Sequence, residues 1–186
     1  TTLTASIENP GGFHEATQKT MSVVNASGFV AGEILTAKKI SPTGFNTEYL
    51  LVQSSSRIDP SSDTNLSGNI FVQRAYGQGT TGDSGSLGGP AGSATNYTGS
   101  QVLVTTGRVG TGYIRLNANP SDQATPYIDV VGRTGTGLYD VELKARLGDL
   151  SGVAGSRNVP LGFTGFGLMS EVAFLSGSNI KLEAPT

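Results

Sequence analysis

Residues 138–147 read LYDVELKARL, and the alternation in this stretch decides the fold class. Apolar side chains occupy every second position, namely Tyr139, Val141, Leu143, Ala145 and Leu147. The charged side chains stand between them, namely Asp140, Glu142, Lys144 and Arg146. Because successive side chains of a β-strand point to opposite faces, this pattern predicts a strand with one buried and one solvated face. We expect the apolar set to be the buried one.

Short apolar runs elsewhere in the chain extend the β prediction. They are separated by Gly, Asn, Ser and Pro, and no segment keeps apolar residues at helical spacing over three turns. The predicted strands cover residues 21–24, 33–38, 48–53, 69–75, 101–105, 113–117 and 127–131. The sequence therefore predicts an all-β protein made of small β-barrel-like or sandwich modules.

A change in composition divides the chain into four predicted segments. Gly, Ser and Thr dominate between residues 78 and 100, which predicts a mobile, exposed loop or linker because little apolar area offsets its ordering entropy. The segments are an N-terminal arm at 1–18, a small β module at 19–77, this linker at 78–100, and a β-rich module at 101–186. Tyr76 and Tyr97 border or lie in the linker, where we expect their rings to face a sugar or protein partner.

Overall composition argues against several classes of function. The formal net charge is -2 and Lys and Arg do not cluster, so the electrostatic signature of nucleic-acid binding is missing. No apolar run approaches the roughly 20 residues that span a bilayer, and we expect no membrane insertion. The chain has no Cys, so disulfides do not stabilise it.

Ser84 lies in a GDSG motif at 82–85, the sequence that frames the nucleophile of trypsin-like serine proteases. That chemistry needs a histidine to accept the hydroxyl proton and a carboxylate to orient the histidine. The single histidine, His14, is in the predicted arm and lacks the sequence context of a protease histidine. We therefore interpret Ser84 as a loop serine.

Two glycine-rich repeats, GRVGTG at 107–112 and GRTGTG at 132–137, are the next candidates for chemistry. A phosphate-binding loop opens into a helix, whereas each repeat runs into a predicted strand. The repeats therefore predict the turns of two hairpins, with glycines at positive φ.

Acidic residues form no convincing metal site or catalytic pair. Asp59, Asp63 and Asn65 lack the alternation and closing Glu of an EF-hand loop. The carboxylates that remain open as a glycosidase pair are Glu142, Asp149 and Glu171, although Glu142 belongs to a charged strand face. We predict no metal, no cofactor and no enzymatic activity.

Two parts of the sequence resemble structural proteins of bacteriophages. A small β module common in those proteins is similar to GFVAGEIL at 28–35, EYLLV at 48–52 and IFVQRAYG at 70–77. Tail-tip and tail-fibre proteins contain segments similar to YIRLNANP at 113–120, PYIDVV at 126–131, YDVELKARLGDLSG at 139–152 and GFGLMSEVAFLSG at 165–177.

The resemblance implies a structural stretch of a long, usually trimeric fibre, with no catalytic centre or cofactor. The expected role is that of a virion protein in the viral tail, linking it to the parts that recognise the host. Expected partners are further copies of the chain, other tail or virion proteins, and a glycan or protein of the host surface. The alternatives are a capsid decoration or neck protein, or a carbohydrate-binding or depolymerising tailspike module, although Trp is absent and aromatic residues make up only 7%.

The C-terminal part carries the predicted trimer interface. Apolar side chains on a glycine-rich segment need a partner surface, because a single chain offers few places to bury them. The predicted interface residues are Tyr139, Val141, Leu143, Leu147, Phe163, Phe166, Leu168 and Phe174.

Overall fold

The computed structural model describes residues 1–4, 6, 12, 14–41, 44–77, 94, 96–122, 124–156 and 159–177. Within these residues the protein is all-β, as predicted, with nine strands and one short 3₁₀ turn at Ser151–Val153. The strands are β1 (Thr20–Val23), β2 (Ile34–Ser41), β3 (Gly44–Arg57), β4 (Gly68–Gln73), β5 (Leu103–Thr105), β6 (Gly112–Asn117), β7 (Tyr127–Arg133), β8 (Val141–Asp149) and β9 (Phe166–Ser170). No helix in the described part of the chain is long and apolar enough to cross a membrane.

The first sheet has the order β1-β4-β3-β2-β5 and is antiparallel. Its register shifts between Val52 and Ser54 of the long strand β3, and such a bulge bends a strand and increases its twist. Alternate side chains of the strands form the main core, which contains Met21, Val23, Leu35, Ala37, Leu50, Val52, Ile70, Val72 and Leu103.

The N-terminal segment packs on this first sheet. Leu3 is 2% exposed and belongs to the main core. Isolated bridges join Thr2 to Val102, Leu3 to Val23 and His14 to Tyr97. The described residues of the predicted arm are therefore part of the first module.

The second sheet has the order β6-β7-β8-β9 and is also antiparallel. Strand β9 was not among the predicted strands, because the glycine-rich stretch before it hides the alternation of a strand. It pairs with β8 so that Leu147 lies opposite Leu168 and Gly148 opposite Gly167. A small core beside this sheet contains Leu150, Val159 and Met169, with Leu143, Val153 and Phe163 packed against it.

The contacts divide the chain into two compact units that differ from the predicted segments. The first contains the described residues of Thr1–Tyr113 and Gly132–Glu142, and the second contains those of Ile114–Val131 and Leu143–Thr186. Strand β5 pairs with β2, so residues 103–105 belong with the first sheet and not with the predicted module at 101–186.

The two glycine-rich repeats differ in structure. Gly107 and Gly110 have φ of 80° and 84°, as predicted, but the repeat joins β5 of one sheet to β6 of the other and is not a hairpin turn. The second repeat lies between the neighbouring strands β7 and β8, which is the predicted hairpin position. Its glycines do not adopt positive φ, and Gly132 is part of β7. The predicted positive φ at the glycines of this second repeat is therefore wrong.

Candidate functional site

The two tyrosines predicted to face a partner are buried, so this prediction is wrong. Tyr76 is 8% exposed, and its hydroxyl donates to the Thr136 carbonyl over 2.8 Å. Tyr97 is 1% exposed and lies in the main core. Its backbone exchanges hydrogen bonds of 2.7 and 2.8 Å with His14, so the end of the predicted linker is ordered here. Burial of a large aromatic ring stabilises the fold. The polar sequence around these two tyrosines gave no indication of that burial.

A buried ion pair holds the N-terminal segment to the first sheet. Arg74 donates to both carboxylate oxygens of Glu48, over 2.7 and 3.0 Å, and neither side chain is more than 5% exposed. The same guanidinium donates through Nη1 to the carbonyls of Glu15 and Gln18, and lies 5.6 Å from the centre of the Tyr97 ring. These contacts join the N-terminal segment to the first sheet, and both side chains of the pair are shielded from solvent.

The second unit contains a related cluster centred on Asp129. Arg146 donates to both oxygens of this carboxylate over 2.7 and 2.9 Å, and Arg115 donates to Oδ2 over 2.7 Å. The guanidinium of Arg146 also stacks 3.7 Å from the centre of the Tyr127 ring. Burial alone would raise the pKa of Asp129, but hydrogen bonds from Arg146 and Arg115, and their charges, outweigh it and lower the pKa.

The exposures of Arg146 and Leu147 contradict the faces that were predicted for strand β8. We expected the charged side chains to be solvated and Leu147 to be buried, yet Arg146 is 5% exposed and Leu147 is 56% exposed. An alternating pattern separates two faces without telling which one is covered. The carboxylate of Asp129 and the ring of Tyr127 compensate the burial of the guanidinium.

The other acidic candidates make local contacts. Ser151 donates to Asp149 through its hydroxyl and its backbone, which lowers the pKa of Asp149, whereas a general acid needs a raised one. Glu171 accepts from Lys144 over 3.0 Å. Asp59 caps a turn by accepting from Ser61 over 2.6 and 3.0 Å. The described residues contain no group of three acidic, His or Cys side chains that could hold a metal, and Ser84 lies outside the described residues.

Tyrosines gather around a buried arginine in the first unit. Arg133 is 5% exposed and donates to the Thr106 carbonyl, the Thr106 hydroxyl and the Gly137 carbonyl. Burial lowers its pKa, an effect opposed by the charges of nearby groups, of which Tyr113 is the strongest. Burial raises the pKa of Tyr49, and the neighbouring Tyr139 and Tyr113 raise it further. Tyr139 is 73% exposed.

One face of the second sheet is apolar and open to solvent. Arg115 and Arg146 both donate to Asp129 from neighbouring strands, so the three residues share a face. The residues next to them in sequence point to the opposite face. That opposite face, called here the apolar face, consists of Ile114, Leu116, Ile128, Val130, Leu147, Phe166 and Leu168. Their exposure ranges from 40% at Ile128 to 74% at Leu116.

The two faces of this sheet are covered unequally. On the face that carries Asp129 and Arg146, Met169 pairs with Arg146 across the strands. Met169 also packs with Leu150 and Val159 in the small core. On the apolar face lies an open groove of about 460 Å³. The groove is lined by Leu116, Asn117, Ala118, Pro126, Tyr127, Ile128, Leu147, Gly148 and Phe166, none of them charged.

The predicted interface residues fall into two groups. Tyr139, Leu147, Phe166, Leu168 and Phe174 are between 56% and 88% exposed. Val141 is half-buried, while Leu143 and Phe163 pack against the small core. Only Leu147, Phe166 and Leu168 belong to the apolar face.

Sequence reasoning missed the four remaining members of the apolar face. Ile114 and Leu116 flank Arg115, and Ile128 and Val130 flank Asp129. The same period-two pattern that revealed β8 is therefore present in β6 and β7. It is short in both strands, and the sequence did not reveal that Arg115 and Asp129 meet.

No protein-family description matches the chain, and no curated protein or solved structure is significantly similar to it.

Proposed function

We propose that this protein is a virion structural protein without enzymatic activity, a segment of a phage tail fibre or tail tip that links the tail to host-recognition parts. The observation that carries the proposal is the apolar face, seven large apolar side chains on one open sheet surface. These seven residues lie within the segments that resemble tail-fibre and tail-tip proteins.

The chemistry of the apolar face favours a protein partner. Complete burial of a Val, Leu, Ile or Phe side chain contributes about 1.5–3 kcal/mol, and contiguous exposed apolar patches on soluble proteins mark interaction sites. Sheets stack face to face at about 10 Å through such surfaces. The resemblance to trimeric fibres supports further copies of this chain as the partner, in a homotrimer.

Phe166→Asp tests this role of the apolar face. Phe166 is 67% exposed, so a charge there leaves the fold of one chain intact but is costly inside a subunit interface. We expect light scattering to show a change from trimer to monomer or aggregate. The matched control is Ile58→Asp, at a position that is 69% exposed in the first unit, and it should retain the wild-type mass. An unchanged mass for Phe166→Asp would count against the interface.

The place of the protein in a virion is tested by antibody labelling of purified phage particles in the electron microscope. We expect label along the tail or at its tip. Label on the capsid or neck would favour the decoration or neck alternative over the tail, and unlabelled particles with accessible epitopes would contradict a virion role.

Carbohydrate binding is a second candidate, favoured by the tyrosines near Arg133. Tyr139 is exposed, Tyr49 and Tyr113 are half-buried, and sugar rings stack on such aromatic faces. Binding of host-surface glycans on an array should be lost in Tyr139→Ala and kept in Ile58→Ala. An array with no wild-type binding would remove this candidate without affecting the fibre proposal.

A further inference from the structure

The segment that follows β9 is the second apolar surface of the second unit. Residues 171–177 are described and form no regular structure, and Val172, Phe174 and Leu175 are 83%, 88% and 64% exposed. In an extended chain Val172 and Phe174 point to the same side. We call residues 171–177 the tail segment.

The groove on the apolar face complements this segment. Its walls are mainly Leu116, Ala118, Pro126, Ile128, Leu147 and Phe166, and it offers a volume of about 460 Å³ that is open to solvent. The tail segment has two apolar side chains at strand spacing and one acidic residue, Glu171, which already pairs with Lys144. An apolar strand therefore fits the groove without bringing an unpaired charge into it.

The tail segment does not fill the groove of its own chain. Phe174 is 88% exposed, and the groove residues Leu116 and Phe166 are 74% and 67% exposed. Among the described residues, two different surfaces of one chain are thus open to solvent. When such surfaces bind each other between copies, the contact is heterologous. It forms a closed ring where the rotation between copies closes, and an open filament where it does not.

We propose that Val172 and Phe174 of one copy occupy the groove of the next copy. This inference rests on the self-assembly in the proposed function and names the segment that occupies the apolar face. Each copy in a closed trimer then gives one tail segment and receives another. Every groove is then filled, and Val172 and Phe174 no longer face solvent.

Cysteine cross-linking tests the contact directly, because these 186 residues contain no Cys. The test protein is the full chain with Leu116→Cys and Phe174→Cys, oxidised mildly and run on a denaturing, non-reducing gel. We expect covalent species at multiples of the 19.1 kDa chain, up to the trimer. Each single variant should remain at the mass of one chain, as should the control pair Leu116→Cys with Val24→Cys, since Val24 is exposed in the first unit.

The outcomes of this experiment separate the inference from the proposed function. A disulfide that joins the two introduced thiols within one chain, identified by peptide mapping, would overturn the exchange in favour of a tail folded on its own groove. Absence of cross-links in a protein that light scattering finds to be trimeric would overturn the exchange and leave the trimer standing. A monomeric wild type would overturn both.

Discussion

At the scale of single residues, each unit contains a buried arginine that donates two hydrogen bonds to a carboxylate. The guanidinium of each arginine also lies near a tyrosine ring. These are Arg74 with Glu48 near Tyr97, and Arg146 with Asp129 on Tyr127. Sequence reasoning assigned Arg146 to a solvated face, because its partner is 17 residues away and alternation says nothing about which face is covered. Pairing across strands, which local sequence does not reveal, decided the burial.

Asp129→Asn should strongly destabilise the second unit. The amide keeps the shape of the carboxylate but removes the countercharge of Arg146, whose side chain is 6% exposed. Breaking a buried ion pair in this way costs about 3–5 kcal/mol, to be measured as the loss in unfolding free energy in urea. The control Lys144→Met breaks a pair whose side chains are 38% and 49% exposed and should cost under about 1 kcal/mol. Equal losses in the two variants would be inconsistent with this account.

The lowered pKa of Asp129 also predicts the pH dependence of this stabilisation. A carboxyl with a folded pKa below its unfolded value of about 3.9 binds fewer protons in the folded state. Its contribution is therefore complete well above pH 4 and disappears as the pH falls through the folded pKa. The difference in unfolding free energy between wild type and Asp129→Asn should be constant near neutrality and shrink below about pH 5. A difference that grows on acidification would contradict the sign of the shift.

At the scale of elements, periodicity predicted eight of the nine strands within a few residues of their positions. The missed strand, β9, contains Gly167, which pairs with Gly148 of β8, so both strands lack a side chain where a pattern search expects one. Close packing explains the glycine in β8. A Cβ at Gly148 would lie 2.4 Å from the Pro126 carbonyl oxygen and 2.6 Å from the Tyr127 Cα.

Gly148→Ala should therefore destabilise the second sheet more than an ordinary substitution of a turn glycine. The backbone at Gly148 has φ of 135°, and the two nearest atoms that a methyl group would meet belong to the main chain. We expect a loss of about 3 kcal/mol or more in unfolding free energy. The control is Gly162→Ala, with φ of 78° and open space around the added carbon, which should cost about 1–2 kcal/mol. Similar losses at both positions would argue against the close approach at β8.

At the scale of the whole molecule, sequence reasoning predicted the fold class but not the grouping of strands. Strand β5 joins the first sheet by pairing with β2, and Leu3 adds to the same core, so the linker boundary did not separate the two sheets. The apolar face also required the structure, because it is made of short alternations in four strands that only the sheet order brings together. The proposed function depends on this assembled surface more than on any single motif.

The central claim is that the apolar face is buried between copies of the chain. The measurement that tests it most directly is the molar mass of the wild-type protein by light scattering, over a concentration series that reaches high micromolar values. The account predicts about 57 kDa, three times the 19.1 kDa chain mass. A mass of 19.1 kDa throughout the series, with the second sheet folded, would contradict it.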